Sequence, residues 1–129
     1  MIKVYVKKTS SAGVSTPKLK SALKKFLTKN GISSDAVVEV AIVGEKKMLE
    51  LAKVYLKEDN VLHNVLSFPT SESKTEFVSP PDGFLHLGEI IVCYPKAVEE
   101  ANSEKKRIDA KVIELVNHGA LHLLGIHHD

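Results

Sequence analysis

The chain has 129 residues, 43% hydrophobic and 26% charged, close to the average for globular domains, so wholesale disorder is excluded. Its net charge of +2 names no partner, its single Cys93 excludes an intramolecular disulfide, and no apolar run is long enough to span a membrane. With Met1-Ile2-Lys3-Val4 alternating rather than forming a signal-peptide core, one cytoplasmic domain over residues 1–129 is expected, its oligomeric state undetermined.

Residues 2–8 alternate like a half-buried strand. After the polar stretch 10–16, Pro17 predicts a helix start with Thr16 as its N-cap. Leu19, Leu23, Phe26 and Leu27 form its apolar stripe, and Asn30-Gly31 ends it. Residues 37–43, rich in valine and isoleucine, read as a central strand. A second helix is predicted from Glu45 to Leu56, then a strand over 64–68. Residues 69–81 are a long polar excursion, expected as a mobile loop or loose hairpin. A strand over 85–93 follows, then a helix from Pro95 to about Asn102 and a last helix from about Glu104 to Leu124. The order β-α-β-α-β-β-α-α predicts an α+β fold: one small mixed sheet of about four strands with helices packed on it.

Charge is unevenly distributed. Residues 1–29 hold eight lysines and no acid, whereas the remainder carries a net of −6. Such a basic lobe fits a polyanion-binding surface. Lys18, Lys25 and Lys29, at steps of seven and four, share the helix face opposite the apolar stripe and are the expected RNA-phosphate contacts if the polyanion is RNA.

Histidine is more uneven still: four of the six lie in the last 12 residues. His118 and His122 are four apart on the predicted helix, which puts their side chains on one face, about 6 Å apart at Cβ. Gly125 sits where a helix ends in a left-handed turn, able to swing His127 or His128 back as a third ligand, with His128 favoured. Three neutral imidazoles with one open position make a catalytic type of zinc site. Two histidines inside an apolar helix are not explained by an expression tag, and without a metal they would be desolvated at a cost. The spacing H-x-x-x-H-x-x-G-x-x-H is that of zinc proteases, but the general-base glutamate after the first histidine is replaced by Gly119, so a protease is not expected.

The segment HGALHLLGIHHD resembles the HGxLHLxGxDH signature of the YbeY family, rRNA maturation factors and probable endoribonucleases. Upstream, His63-Asn64-Val65-Leu66-Ser67-Phe68-Pro69 is similar to that family's VLSFP segment, and Leu87-Gly88-Glu89-Ile90-Ile91-Val92 to its LGDIxI strand. The resemblance covers roughly residues 38–128. It implies one zinc ion held by His118, His122 and His128 on a zinc-binding C-terminal helix. It also implies cleavage of single-stranded RNA, 3′-end maturation of small-subunit rRNA, ribosome quality control, and small-subunit rRNA and proteins as partners.

Three positions depart from the family pattern. His127 stands where the family has aspartate; either the supporting carboxylate is gone, or Asp129 substitutes from the other side. Lys57 stands at the position of a family arginine, offering phosphate a point charge instead of a bidentate fork. Glu89 replaces the aspartate of LGD. Lys57 and His127 are therefore the expected catalytic side chains, one pairing with phosphate and the other carrying a proton near histidine's ordinary pKa of about 6.5. The attacking oxygen, from water or from the RNA 2′-hydroxyl, stays open. So do two other classes: a metallohydrolase of a non-RNA substrate, and a ribosome-associated zinc-binding assembly factor with marginal hydrolysis. Few aromatics are available for stacking, so weak base readout is expected.

Overall fold

A computed structural model of the chain describes residues 1–9, 12–70 and 83–125. The predicted excursion over 69–81 thus lies outside the described residues from position 71 onward. Four strands, β1 (Ile2–Lys8), β2 (Ala36–Val43), β3 (Val65–Pro69) and β4 (Leu85–Cys93), form one sheet. Four helices, α1 (Thr16–Lys29), α2 (Glu45–Leu56), α3 (Tyr94–Glu104) and α4 (Ile108–Leu123), pack on it. The strand order is β1-β2-β4-β3, with β1, β2 and β4 parallel and β3 antiparallel at one edge. The α+β mixed sheet expected from the element order is the fold observed. None of the described helices is long and apolar enough to cross a membrane.

Alternation along the strands divides the core into two faces. Val38, Val40, Ile42, Ile90 and Val92 point to one face, where Leu19, Leu23 and Leu27 of α1 and Val112, Val116 and Ala120 of α4 cover them. Leu66, Ile91 and Cys93 point to the other face, where Met48 and Leu51 of α2 meet them. Burial pushes the Cys93 thiol pKa up, consistent with a packing role.

Two helix starts differ from expectation. The α1 cap is Ser15, not Thr16: its hydroxyl accepts from the Lys18 N–H at 3.4 Å, and Thr16 is already helical. The last helix begins at Ile108 rather than near Glu104, because Lys105 adopts the left-handed conformation (φ 57°) that closes α3. That break lets Glu104 turn back on α4. Lys111, only 4% exposed, sits 2.9 Å from Glu104, 2.7 Å from Glu114 and 3.4 Å from Glu100. Burial opposes its charge, but the Glu114 and Glu104 hydrogen bonds prevail and hold its pKa above the ordinary lysine value. The amide of Asn64, just before β3, donates to Glu100 at 3.2 Å and so ties the edge strand into the same network.

Two glycines set how closely α4 approaches the sheet. At Gly88 the register of β4 against β2 shifts, and φ is +136°. A Cβ there would lie 2.4 Å from the Phe68 carbonyl oxygen and 2.9 Å from Leu123 Cδ2. At Gly119 a Cβ would lie 2.8 Å from both Ile90 Cγ2 and Ser67 Oγ.

Candidate functional site

The close approach at Gly119 allows the Ser67 hydroxyl of β3 to donate to the Gly119 carbonyl at 3.0 Å. This bond fixes the last turns of α4 against the edge strand. On those turns the His118 and His122 rings meet edge to face, centroids 4.8 Å apart, with their Nε2 atoms 3.2 Å from each other. Two ligands of a tetrahedral zinc ion, each about 2.05 Å from the metal, lie about 3.3 Å apart. The donor chemistry and the Nε2 separation of the pair therefore fit two corners of such an ion. His118 is exposed and His122 half-buried. Gly125 takes the expected left-handed turn, with φ +78°. His127, His128 and Asp129 lie outside the described residues, and so does every expectation placed on them. Among the described residues, no group of three or more histidine, cysteine or acidic side chains could hold a metal ion.

Across the sheet, α2 leaves part of its own face uncovered among the described residues. The opening is a cleft of about 900 Å³, within the usual range of about 300–1,000 Å³ for ligand sites. Lys57 lines it. This lysine closes α2 in a left-handed conformation (φ 59°), which projects an exposed side chain from the end of the helix. The cleft and the last turns of α4 share a rim: Ser67 lines the cleft and bonds to Gly119, and Gly88 lines it and lies against Leu123.

The other predicted phosphate contacts are placed elsewhere. Lys18 reaches Asp109 in the first turn of α4 at 3.8 Å. Lys25 and Lys29 are exposed on α1, which packs on the sheet face opposite the cleft. The structure does not bring these three lysines to the cleft.

The cleft floor holds Glu39, which sequence reasoning passes over, beside Glu89 and Phe68. Strand register sets Tyr5 beside Glu39, Glu39 beside Glu89, and Glu89 beside Phe68, one row across all four strands. Tyr55 of α2 packs on Phe68 with ring centroids 5.2 Å apart. Burial, and then repulsion from Glu39, raise the Glu89 pKa, while Lys7 and Lys47 pull it back. The available signal was Glu39 itself, the one charged residue inside VVEVAIV.

Comparison with known proteins places this geometry. The sequence model of the family described as Endoribonuclease YbeY matches residues 5–129. This chain belongs to the YbeY family. The YbeY endoribonuclease of Dehalococcoides mccartyi is 34% identical over 134 aligned positions, covering 98% of this chain and 77% of the relative. That of Stutzerimonas stutzeri is 36% identical over 99 positions, covering 74% of this chain and 56% of the relative. Among solved structures, the solution structure of TM1509 from Thermotoga maritima is similar, with a TM-score of 0.62 and 28% identity. The match covers all of this chain and 75% of that one. YbeY membership supports an RNA-cleaving hydrolase and an RNA substrate. Within that frame Lys57 and Glu89 are the two departures from the family pattern that line the cleft.

Proposed function

We propose that this chain, acting as one domain over residues 1–129, is a zinc-dependent endoribonuclease of single-stranded RNA. Its proposed work is 3′-end maturation of small-subunit rRNA and ribosome quality control, in the cytoplasm, with small-subunit rRNA and proteins as partners. The observation that carries the reading is the convergence of His118 and His122, Nε2 to Nε2 at 3.2 Å, on turns of α4 bonded to the cleft-lining Ser67.

His118, His122 and His128 would hold the zinc ion. Bound there, it supplies Lewis acidity at a phosphoryl oxygen and makes a coordinated water more acidic. Lys57 pairs with a phosphate at the cleft and holds the chain in place. His127 passes a proton to the leaving oxygen. Ser67 keeps the histidine-bearing turn in register with the edge strand through its bond to the Gly119 carbonyl. Lys18, Lys25 and Lys29 add affinity for RNA that extends beyond the cleft.

The deciding test combines metal analysis with cleavage of a single-stranded RNA by wild type and His122→Ala. Bound zinc and cleavage in the wild type, both sharply reduced in the variant, are expected. Zinc-dependent rRNA binding without turnover would instead favour an assembly factor, and peptidase activity without RNA cleavage another metallohydrolase. A 2′,3′-cyclic phosphate on the product would identify the RNA 2′-hydroxyl as the attacking oxygen.

A further inference from the structure

The cleft floor is an unusual place for RNA to lie. Glu39 and Glu89 stand side by side on parallel strands, about 4.8 Å apart by ordinary strand spacing, and both line the cleft. Like charges directly opposite each other on a sheet are destabilising. Local conflicts of this kind in a folded chain are expected at functional sites. Two neighbouring carboxylates repel a phosphate, so the floor does not take the RNA backbone. It accepts hydrogen bonds, and what suits it is a neutral group that presents N–H donors.

The surroundings suit a nucleobase. Tyr55, 63% exposed, offers a ring face at the cleft, backed by Phe68. Described lysines stand beside the cleft. Lys57 lies at the end of α2, and Lys7 is close enough to act on Glu89 from β1. A strand of RNA can thus rest its phosphates on the lysines and turn a base inward between the aromatic ring and the acids. Of the four bases, only guanine presents two adjacent donors, N1–H and N2–H, on its Watson–Crick edge. One carboxylate accepts both. Adenine and cytosine offer one amino donor beside an acceptor nitrogen, and uracil one imino donor between two carbonyls.

We infer that the cleft is a guanine subsite, with Glu89 accepting from the base edge, Tyr55 stacking on its face and Lys57 holding the adjoining phosphate. The inference rests on the endoribonuclease reading and adds a base preference to it. Glu39, exposed beside Glu89, keeps the floor anionic and excludes the phosphate from it. A bidentate contact of this kind discriminates against the wrong base by roughly five- to a hundredfold.

The test uses the zinc-loaded chain and short labelled oligouridylates carrying one central guanine, inosine, adenine or cytosine. Binding is read by fluorescence anisotropy and cleavage by gel. The guanine oligonucleotide should bind roughly tenfold tighter than the adenine one. Inosine, which lacks the N2 amine, should lose most of that preference. In Glu89→Gln the guanine-to-adenine ratio should fall to about one, while Tyr55→Ala should weaken all four together. Equal binding and cleavage of all four by the wild type would overturn the guanine subsite and leave the endoribonuclease reading standing. A ratio unchanged in Glu89→Gln would overturn it too. If none of the four, nor a long unstructured RNA, is bound or cleaved, the endoribonuclease reading itself falls.

Discussion

Glu89 lies directly between Glu39 and Phe68 in the sheet, so its carboxyl is pressed by a like charge on one side and an aromatic ring on the other. Burial and the Glu39 charge raise its pKa in the folded chain. The folded state therefore keeps this proton to a higher pH than the unfolded chain does. The contribution to stability is full at low pH and is lost as pH rises through the carboxylate range to the folded value. Glu89→Gln should accordingly raise the melting temperature at neutral pH by about 1–3 °C. The gain should vanish in acid. A lower melting temperature at neutral pH would contradict this account.

The carboxylates around Lys111 behave in the opposite sense. The carboxylates of Glu104 and Glu114 have pKa values held below the ordinary range by hydrogen bonds from Lys111 and Lys106. Their contribution is present at neutral pH and is lost as pH falls through their folded values. Lys111→Ala leaves three acids facing one another and should cost about 1.5–3 kcal/mol, measured by urea unfolding at neutral pH. The loss should shrink in acid, where the acids are neutral. Lys111→Met keeps the aliphatic volume and should cost less than the alanine variant.

The zinc proposal separates neighbouring histidines. His118→Ala, His122→Ala and His128→Ala should each lower zinc content sharply from about one per chain. His127→Ala should leave zinc content nearly intact while lowering turnover. Loading should weaken as pH falls and protons compete for the imidazoles. Elemental analysis of each variant after dialysis against zinc checks this. Loss of metal on replacing His127 but not His128 would shift the proposed register by one.

The lysines of α1 face away from the cleft, and this sharpens what they should do. With a long rRNA fragment, replacing Lys18, Lys25 and Lys29 together by glutamine should shallow the log–log salt dependence of binding by roughly 0.7 for each phosphate no longer neutralised. With an oligonucleotide only long enough to fill the cleft, the slope should not change. Turnover at saturating RNA should also hold. A wild-type slope on the long fragment would leave these lysines as a solvated face.

The legible part of this fold was the part written locally. Alternation marked β1, helical spacing marked α2, and the i, i+4 histidines with Gly125 marked the end of α4; each depends on residues a few positions apart. The row Tyr5–Glu39–Glu89–Phe68 depends on strand order and register, which join positions far apart in the chain. No periodicity within one segment encodes it. Lys111 was equally hidden. A lysine on a helix reads as solvated until three acids, two of them from the preceding helix, close over it. The lysine face of α1 was visible as a stripe, but the side of the sheet it would occupy was not.

Among the described residues, the order β1-β2-β4-β3 also leaves two strands with an outer flank, and their residues bear on self-association. β1 carries Lys3, Lys7 and Lys8 along its length, and β3 is only five residues long and closes on Pro69. Charge on one margin and a residue without an N–H on the other are both devices that discourage strand addition. Two copies meeting margin to margin would oppose lysine to lysine at β1 and lack a donor at Pro69. The chain can thus leave its cleft open to a turned-in base at high concentration without its described sheet margins becoming a template for aggregation.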